Sequence, residues 1–97
     1  MDLNLINFQD SIEEGKVLVK FWAPWCGPCK NYAPTFEKFA KENPEIKCFS
    51  VDCEEFPELS AEYEIMSIPM TVLFINGHAK VLKQGKLTKE QLENLVK

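Results

Sequence analysis

The chain has 97 residues, 45% of them hydrophobic, and a formal net charge of -4 at pH 7. This length and composition predict one folded domain over residues 1–97, rather than a disordered chain. The negative charge, together with basic residues that are all lysines, argues against nucleic acid and anionic membrane surfaces as partners.

The first residues also bear on where the protein works. "MDLNLINFQDS" lacks the basic start and apolar centre of a secretory signal, and no apolar run approaches the ~20 residues that span a membrane. We therefore expect a cytoplasmic protein. Because thiols are kept reduced there, its four cysteines indicate metal binding or catalysis rather than a disulfide framework.

The first half of the chain alternates strand and helix patterns. "LNLINF" predicts a short strand, and "NFQDSIEEG" predicts a short helix with Asn7 as its candidate cap. "KVLVKFWA" is typical of a strand buried on both faces, with Lys20 as its one exception. A helix with Pro34 inside it then runs from the cysteines to Asn43 and Pro44, which end it.

The second half ends in a hairpin and a helix. "IKCFSVD" predicts another buried strand, and "FPELSAEYEI" predicts a helix that begins at Pro57. "MTVLFI" and "HAKVLKQ" flank the turn Asn76-Gly77, and Thr88 begins a capping box with Gln91. Because strands and helices alternate early in the chain, the connections between those strands imply parallel pairing, whereas the late hairpin implies antiparallel pairing. We therefore predict an α/β fold with a mixed sheet of five strands flanked by helices on both faces.

The stretch "WCGPCK" carries the chemistry. Cys26 follows a strand pattern and begins a helix, where unpaired backbone N–H groups and the helix dipole favour a thiolate. Cys29 lies about one turn further on, so the two sulfurs can meet. These features suit a reversible disulfide, in which Cys26 attacks a disulfide of another molecule and Cys29 then resolves the mixed disulfide.

Two other roles for this pair remain open at this point. A C-x-x-C is also half of a zinc site, but Cys48, Cys53 and His78 form no second pair at ligand spacing, so we predict no metal site. A purely structural disulfide would close a very small loop and stabilise the fold little. Cys48 is predicted to lie in the core, and Cys53 to be a silent thiol.

A family resemblance covers nearly the whole chain. "WCGPCK", preceded by "VLVKFWAP" and followed by "YAP", resembles the active-site segment of the thioredoxin family, for which such a C-x-x-C is an established sign. "SIP" before a strand, the Asn76-Gly77 hairpin and Gly85 before the last helix also match. The resemblance implies the thioredoxin fold, with Cys26 as the attacking cysteine and Cys29 as the resolving one, and Gly27 and Pro28 tuning them.

The resemblance also implies partners and a binding surface. It implies protein disulfides as substrates, no bound cofactor, and re-reduction by a thioredoxin reductase that draws on NADPH; we expect a monomer. It further implies a cis peptide at Ile68-Pro69 that faces the cysteines. A mostly apolar surface around Cys26 would then hold extended peptides through backbone contacts. Its predicted residues are Trp25, Gly27, Pro28, Ile68, Pro69 and Gly85.

Lys20 departs from the family pattern. It occupies the place where thioredoxins usually have a buried aspartate, as in "VDFWA". A neutral Lys20 would be a base, whereas a charged Lys20 would stabilise a nearby thiolate and raise the reduction potential. We hypothesise that Lys20 raises the potential; the alternative is that it extends to the surface or pairs with a carboxylate such as Asp52.

Three functions compete on this evidence. The leading prediction is a thioredoxin that reduces protein disulfides. A thiol oxidant or isomerase is second: Lys20 favours it, while Pro28 in place of a histidine between the cysteines argues against it. A binding module that uses the fold without turnover is third, and reactivity of Cys26 towards a thiol reagent at neutral pH would distinguish it from the other two.

Overall fold

A computed structural model describes residues 8–97. The strand predicted in "LNLINF" therefore lies outside the described residues except for Phe8, which begins a helix, and the cap predicted at Asn7 lies outside them too. The elements, in chain order, are α1 (Phe8–Ile12), β1 (Lys16–Trp22), α2 (Gly27–Glu42), β2 (Lys47–Asp52), α3 (Pro57–Glu62), β3 (Met70–Ile75), β4 (His78–Gln84) and α4 (Lys89–Leu95). In this part of the chain, no helix has both the length and the apolar character that crossing a bilayer requires.

The sheet is mixed, as predicted. Its strand order is β2-β1-β3-β4, with β1 parallel to β2 and antiparallel to β3, and with β4 antiparallel to β3. The sheet has four strands within residues 8–97, whereas five were predicted, because the remaining predicted strand falls at the N-terminus outside this range. β4 forms one edge, and a register shift opposite Leu73 and Phe74 leaves Lys80 without a partner residue.

Two apolar cores lie on opposite faces of the sheet, because successive side chains of a strand point to opposite sides. Val17, Val19 and Phe21 of β1 pack with residues of α1 and α3. Leu18, between them, packs instead with residues of α2 and α4. This arrangement confirms the prediction that β1 is buried on both faces and that helices cover both sides of the sheet.

The helix end predicted at Asn43, the turn at Asn76-Gly77 and the capping box at Thr88 are confirmed. Asn43 caps the C-terminus of α2, and its side chain donates a hydrogen bond to the Phe39 carbonyl. Asn76 and Gly77 have φ values of 50° and 86°, as a two-residue hairpin turn requires. Thr88 and Gln91 form both hydrogen bonds of the capping box at the start of α4.

One buried polar pair ties α2 to the sheet. The hydroxyl groups of Tyr32 in α2 and Thr71 in β3 are 2.8 Å apart, and both residues are buried. Burial raises the pKa of Tyr32 to about 12, although the hydrogen bond with Thr71 opposes the shift. Each hydroxyl therefore satisfies the other, and the tyrosine stays neutral at physiological pH.

We predict that Tyr32→Phe lowers the free energy of unfolding by about 1–3 kcal/mol, because it leaves the Thr71 hydroxyl buried without its partner. The double variant Tyr32→Phe/Thr71→Val should recover much of this loss, since it removes both polar groups. Urea unfolding of the three proteins measures the effect. A Tyr32→Phe protein as stable as the original would show that the pair does not contribute.

Candidate active site

The end of β1 and the start of α2 position the two cysteines of "WCGPCK". After β1, the chain turns so that the Cys26 N–H donates to the Ala23 carbonyl at 3.1 Å. Cys26 then has an extended backbone and is the N-cap of α2, and its sulfur accepts a hydrogen bond from the Cys29 N–H at 3.2 Å. Pro28 lies in the first turn of the helix, where no backbone donor is needed.

Cys26 and Cys29 are joined by a disulfide, with their Cα atoms 5.3 Å apart. The structure therefore shows the oxidised state of the pair. Across residues 8–97, no group of three or more His, Cys, Asp or Glu side chains lies close enough together to hold a metal ion. The cysteines are 4% and 2% exposed and pack against Ala23, Trp22 and Ile68, so most of the disulfide is shielded from solvent.

The structure brings the predicted peptide-binding residues to this disulfide. The Ile68-Pro69 peptide bond is cis, and the Ile68 carbonyl oxygen lies 3.9 Å from the Cys26 sulfur. Gly85 donates its N–H to the Pro69 carbonyl at 2.8 Å, with a φ of +90° that favours glycine. The Pro69 ring is buried, whereas Trp25 is 71% exposed beside Cys26.

Met66 was missed by the sequence reasoning. It is 91% exposed, two residues before Ile68, and it is one of three large hydrophobic residues that stand out as exposed in the described chain. It lies in the segment that leads from α3 to the Ile68-Pro69 bond. The sequence signal was Met66 in "IMSIP", a large apolar residue in a segment between two predicted elements.

A cavity lies beside the disulfide, on the α2 side of the sheet. Its volume is about 280 Å³, and its lining residues are Lys20, Trp22, Cys29, Lys30, Ala33, Glu37 and Ser50. Lys20 is only 6% exposed, and its ammonium nitrogen lies 5.4 Å from the centre of the Phe36 ring. Sequence reasoning singled out Lys20 but not Ser50, because only the pairing of β1 with β2 brings Ser50 opposite Lys20. Trp22 was missed although it lies two residues further along β1, where the alternation of a strand places it on the same face as Lys20.

Two observations bear on the alternatives for Lys20, which stay predictions. Its burial does not match a side chain that extends into solvent. Asp52 stands opposite Trp22 in the strand pairing, while Ser50 stands opposite Lys20. One Asp52 carboxylate oxygen instead accepts the backbone N–H groups of Glu54 and Glu55, at 2.9 and 3.3 Å.

The other two cysteines are free thiols, both half-buried. Cys48 packs against the core between the sheet, α2 and α4, and burial raises its pKa to about 11. Burial also raises the pKa of Cys53, whose backbone N–H donates to the Trp22 carbonyl at 2.8 Å. Both thiols are therefore protonated at neutral pH. His78, at the start of β4, is exposed.

Comparison with known proteins agrees with this geometry. The family model described as Thioredoxin matches residues 1–97. The chain is 42% identical over 95 residues to "Thioredoxin" of Alicyclobacillus acidocaldarius subsp. acidocaldarius, covering 96% of this chain and 90% of that protein. It is also 42% identical over 84 residues to "Thioredoxin M5, chloroplastic" of Oryza sativa subsp. japonica, but there it covers 86% of this chain and 49% of the relative.

A solved structure is similar as well. Its title is "Structural basis of the thiol resolving mechanism in yeast mitochondrial 1-Cys peroxiredoxin via glutathione/thioredoxin systems", and its chain superposes with a TM-score of 0.87 at 29% identity. The match covers 96% of this chain and 88% of that one. The predicted fold is thereby confirmed.

We predict that, in the reduced protein, iodoacetamide at pH 7 alkylates Cys26 at least about tenfold faster than Cys48, because only the thiolate reacts and the pKa of Cys48 is about 11. Peptide mass spectrometry after short exposures measures each site. Raising the pH towards 11 should speed the reaction of Cys48. The oxidised protein is the control, since only Cys48 and Cys53 can react in it. Equal rates for Cys26 and Cys48 at pH 7 would contradict this account.

Proposed function

Since this chain belongs to the thioredoxin family, we propose how its residues divide the work of reducing a protein disulfide. The chain is a dithiol–disulfide oxidoreductase that uses the Cys26–Cys29 pair and needs no bound cofactor. The observation that carries the assignment of roles is the disulfide at the N-terminus of α2, in which one sulfur caps the helix and the other does not.

Cys26 is the attacking cysteine in this proposal. Its sulfur accepts the Cys29 N–H and sits at the positive end of a 16-residue helix, so its thiolate gains a hydrogen bond and the helix dipole. That thiolate attacks one sulfur of the target disulfide, and the other target sulfur leaves as a thiolate. The product is a mixed disulfide between Cys26 and the target.

Cys29 is the resolving cysteine. Its thiolate attacks the Cys26 sulfur, the bond between Cys26 and the target breaks, and the target leaves with its second thiolate. The target disulfide has gained two electrons, and the pair Cys26–Cys29 has lost them. The state described here, with the two sulfurs bonded to each other, is the product of this step.

The target surface proposed around Cys26 combines apolar contact with exposed backbone. Trp25 supplies a large exposed ring, and Gly27, Pro28 and Gly85 add little bulk. Ile68 and Pro69 present backbone rather than side chain, since the Ile68 carbonyl faces Cys26 and the proline ring is buried. Backbone contacts of this kind suit extended segments of many sequences.

The cycle needs a source of electrons, because every turnover leaves Cys26 and Cys29 oxidised. We propose a thioredoxin reductase, drawing on NADPH, as the partner that reduces them again, and the cytoplasm as the compartment, since thiols are kept reduced there. We further propose that the protein works as a monomer, as a single surface around Cys26 serves both the target and the reductase.

We predict that Cys26→Ser reduces the rate of insulin-disulfide reduction to that of the buffer, because it removes the nucleophile. Cys29→Ser should instead accumulate a covalent complex between Cys26 and the target, because nothing resolves the mixed disulfide. Non-reducing gel electrophoresis detects that complex, and Cys53→Ser is the matched control that should change neither result. A Cys29→Ser protein that turns over normally would overturn the assignment of roles.

We predict that Trp25→Ala lowers kcat/KM for a protein disulfide by about fivefold or more, because tryptophan is enriched among the contact residues whose truncation costs more than ~1 kcal/mol. The free energy of unfolding should change little, since Trp25 is mostly exposed. Leu82→Ala, which removes an exposed apolar side chain from β4, is the control. Loss of activity in both variants, or in neither, would contradict a contact surface centred on Trp25.

A further inference from the structure

We propose that the site around Cys26 prefers target segments whose charges come in a fixed order, with basic residues over the end of β2 and acidic residues over the end of β4. The inference rests on the proposed role of Cys26 and deepens it, because it states which protein disulfides the site reduces fastest. The residues concerned meet the target beside the reacting sulfur and take no part in the exchange of disulfides.

The first step is the position of the disulfide along one edge of the sheet. Trp22 at the end of β1 stands opposite Asp52 at the end of β2. On the other side of β1, Phe21 stands opposite Met70 of β3, which pairs in turn with Gln84 at the end of β4. The ends of β2 and β4 therefore lie in one row with the point where the chain leaves β1 for the disulfide. Neighbouring strands are about 4.8 Å apart, so the row is about 14 Å long, and an extended chain crosses it with about four residues.

The second step is the charge at the β2 end of this row. Residues 48–79 include six carboxylates and no lysine. Glu54 and Glu55 are exposed and lie two and three residues after Asp52, the last residue of β2. Their backbone N–H groups donate to one oxygen of the Asp52 carboxylate at 2.9 and 3.3 Å. Hydrogen bonds thus hold the turn that carries these two carboxylates at the end of β2.

The third step is the charge at the β4 end. Residues 80–89 include four lysines and no carboxylate. Lys86 is exposed and follows Gly85, whose N–H donates to the Pro69 carbonyl at 2.8 Å. Pro69 is joined to Ile68, whose carbonyl oxygen lies 3.9 Å from the attacking sulfur. Lys86 is therefore held next to the backbone that faces that sulfur.

Other charged residues near the site do not distinguish the two ends of the row. Lys30 adjoins Cys29 in α2 and lines a cavity together with Glu37, which has the opposite charge. Lys89 forms a salt bridge with Glu42 at 3.0 Å. A charge near the middle of the row acts on both sides of a target alike.

The fourth step is what a target segment meets when its disulfide reaches Cys26. With basic residues over Glu54 and Glu55 and acidic residues over Lys86, it is attracted at both ends. The reversed order places like charges together at both ends, which is unfavourable across a contact surface. Two segments of equal net charge therefore differ in the rate at which the Cys26 thiolate reaches them.

The test uses two peptides of the same composition. Each has blocked termini and a central cysteine in disulfide linkage with nitrothiobenzoate, with two lysines on one side and two glutamates on the other; the peptides differ only in which side carries which charge. The Cys26 thiolate of the reduced protein bonds to the peptide sulfur, and nitrothiobenzoate leaves as a coloured thiolate, so absorbance gives the rate. Each rate is divided by that of the same peptide with dithiothreitol, which corrects for intrinsic reactivity.

We expect the two corrected rates to differ by about threefold or more at low ionic strength, as a few exposed ion pairs imply. In about 1 M NaCl, where the screening length is about 3 Å, the difference should fall below about 1.5-fold. A neutral peptide with glutamine in place of the charged residues should react at an intermediate rate.

Reversing the charges of the protein shows whether the two ends of the row cause the preference. The triple variant Glu54→Lys/Glu55→Lys/Lys86→Glu should prefer the other peptide, because each end then carries the opposite charge. If it does not fold, Glu54→Gln/Glu55→Gln and Lys86→Gln should each bring the ratio of rates closer to one.

The matched control is Glu14→Lys/Glu45→Lys/Lys80→Glu, which changes the net charge equally. Glu14 and Glu45 precede β1 and β2, at the other end of those strands, and Lys80 lies four residues before Gln84; all three are exposed. This variant should keep the original preference.

Three results would overturn the proposal: equal corrected rates for the two peptides at low ionic strength, a preference that salt does not reduce, or a preference that the triple variant leaves unchanged. If the reduced protein released nitrothiobenzoate from neither charged peptide nor from the neutral one, the proposed function would fail instead. Equal release from all three peptides would refute the charge order alone.

Discussion

The hydrogen bonding of β1 on both of its edges is the constraint on which the rest of the structure depends. Because β2 and β3 occupy both edges and helices cover both faces, β1 cannot shift along its axis without exposing one core or the other. The chain must therefore leave the sheet at one defined point, just after Trp22. The short turn that follows brings Cys26 to the N-cap of α2, so the fold sets the position of the reactive sulfur.

The same constraint explains how a charge comes to lie inside the protein. In a strand buried on both faces, every side chain faces one of the two cores, and Lys20 is accordingly only 6% exposed. The Lys20 side chain lines the polar cavity beside α2.

Much of the fold could be predicted from the sequence, because its signals are local. Asn76-Gly77, Thr88 with Gln91, and Asn43 with Pro44 each set a turn or a helix end through a backbone preference that neighbouring residues do not change. The Cys26–Cys29 pair was predictable for the same reason. The cavity was not, since Ser50 and Glu37 reach Lys20 only through strand pairing and the packing of α2. The cis bond at Pro69 was expected from family resemblance alone.

The exposed edge strand β4 bears on how the protein contacts other extended chains. A protein that binds extended chain segments is at risk of pairing them along any open edge of its own sheet. In β4, that edge carries Lys80 and Lys83, and the register shift that leaves Lys80 unpaired interrupts the regular row of backbone donors and acceptors. Another extended chain is thereby discouraged from adding to β4 as a further strand.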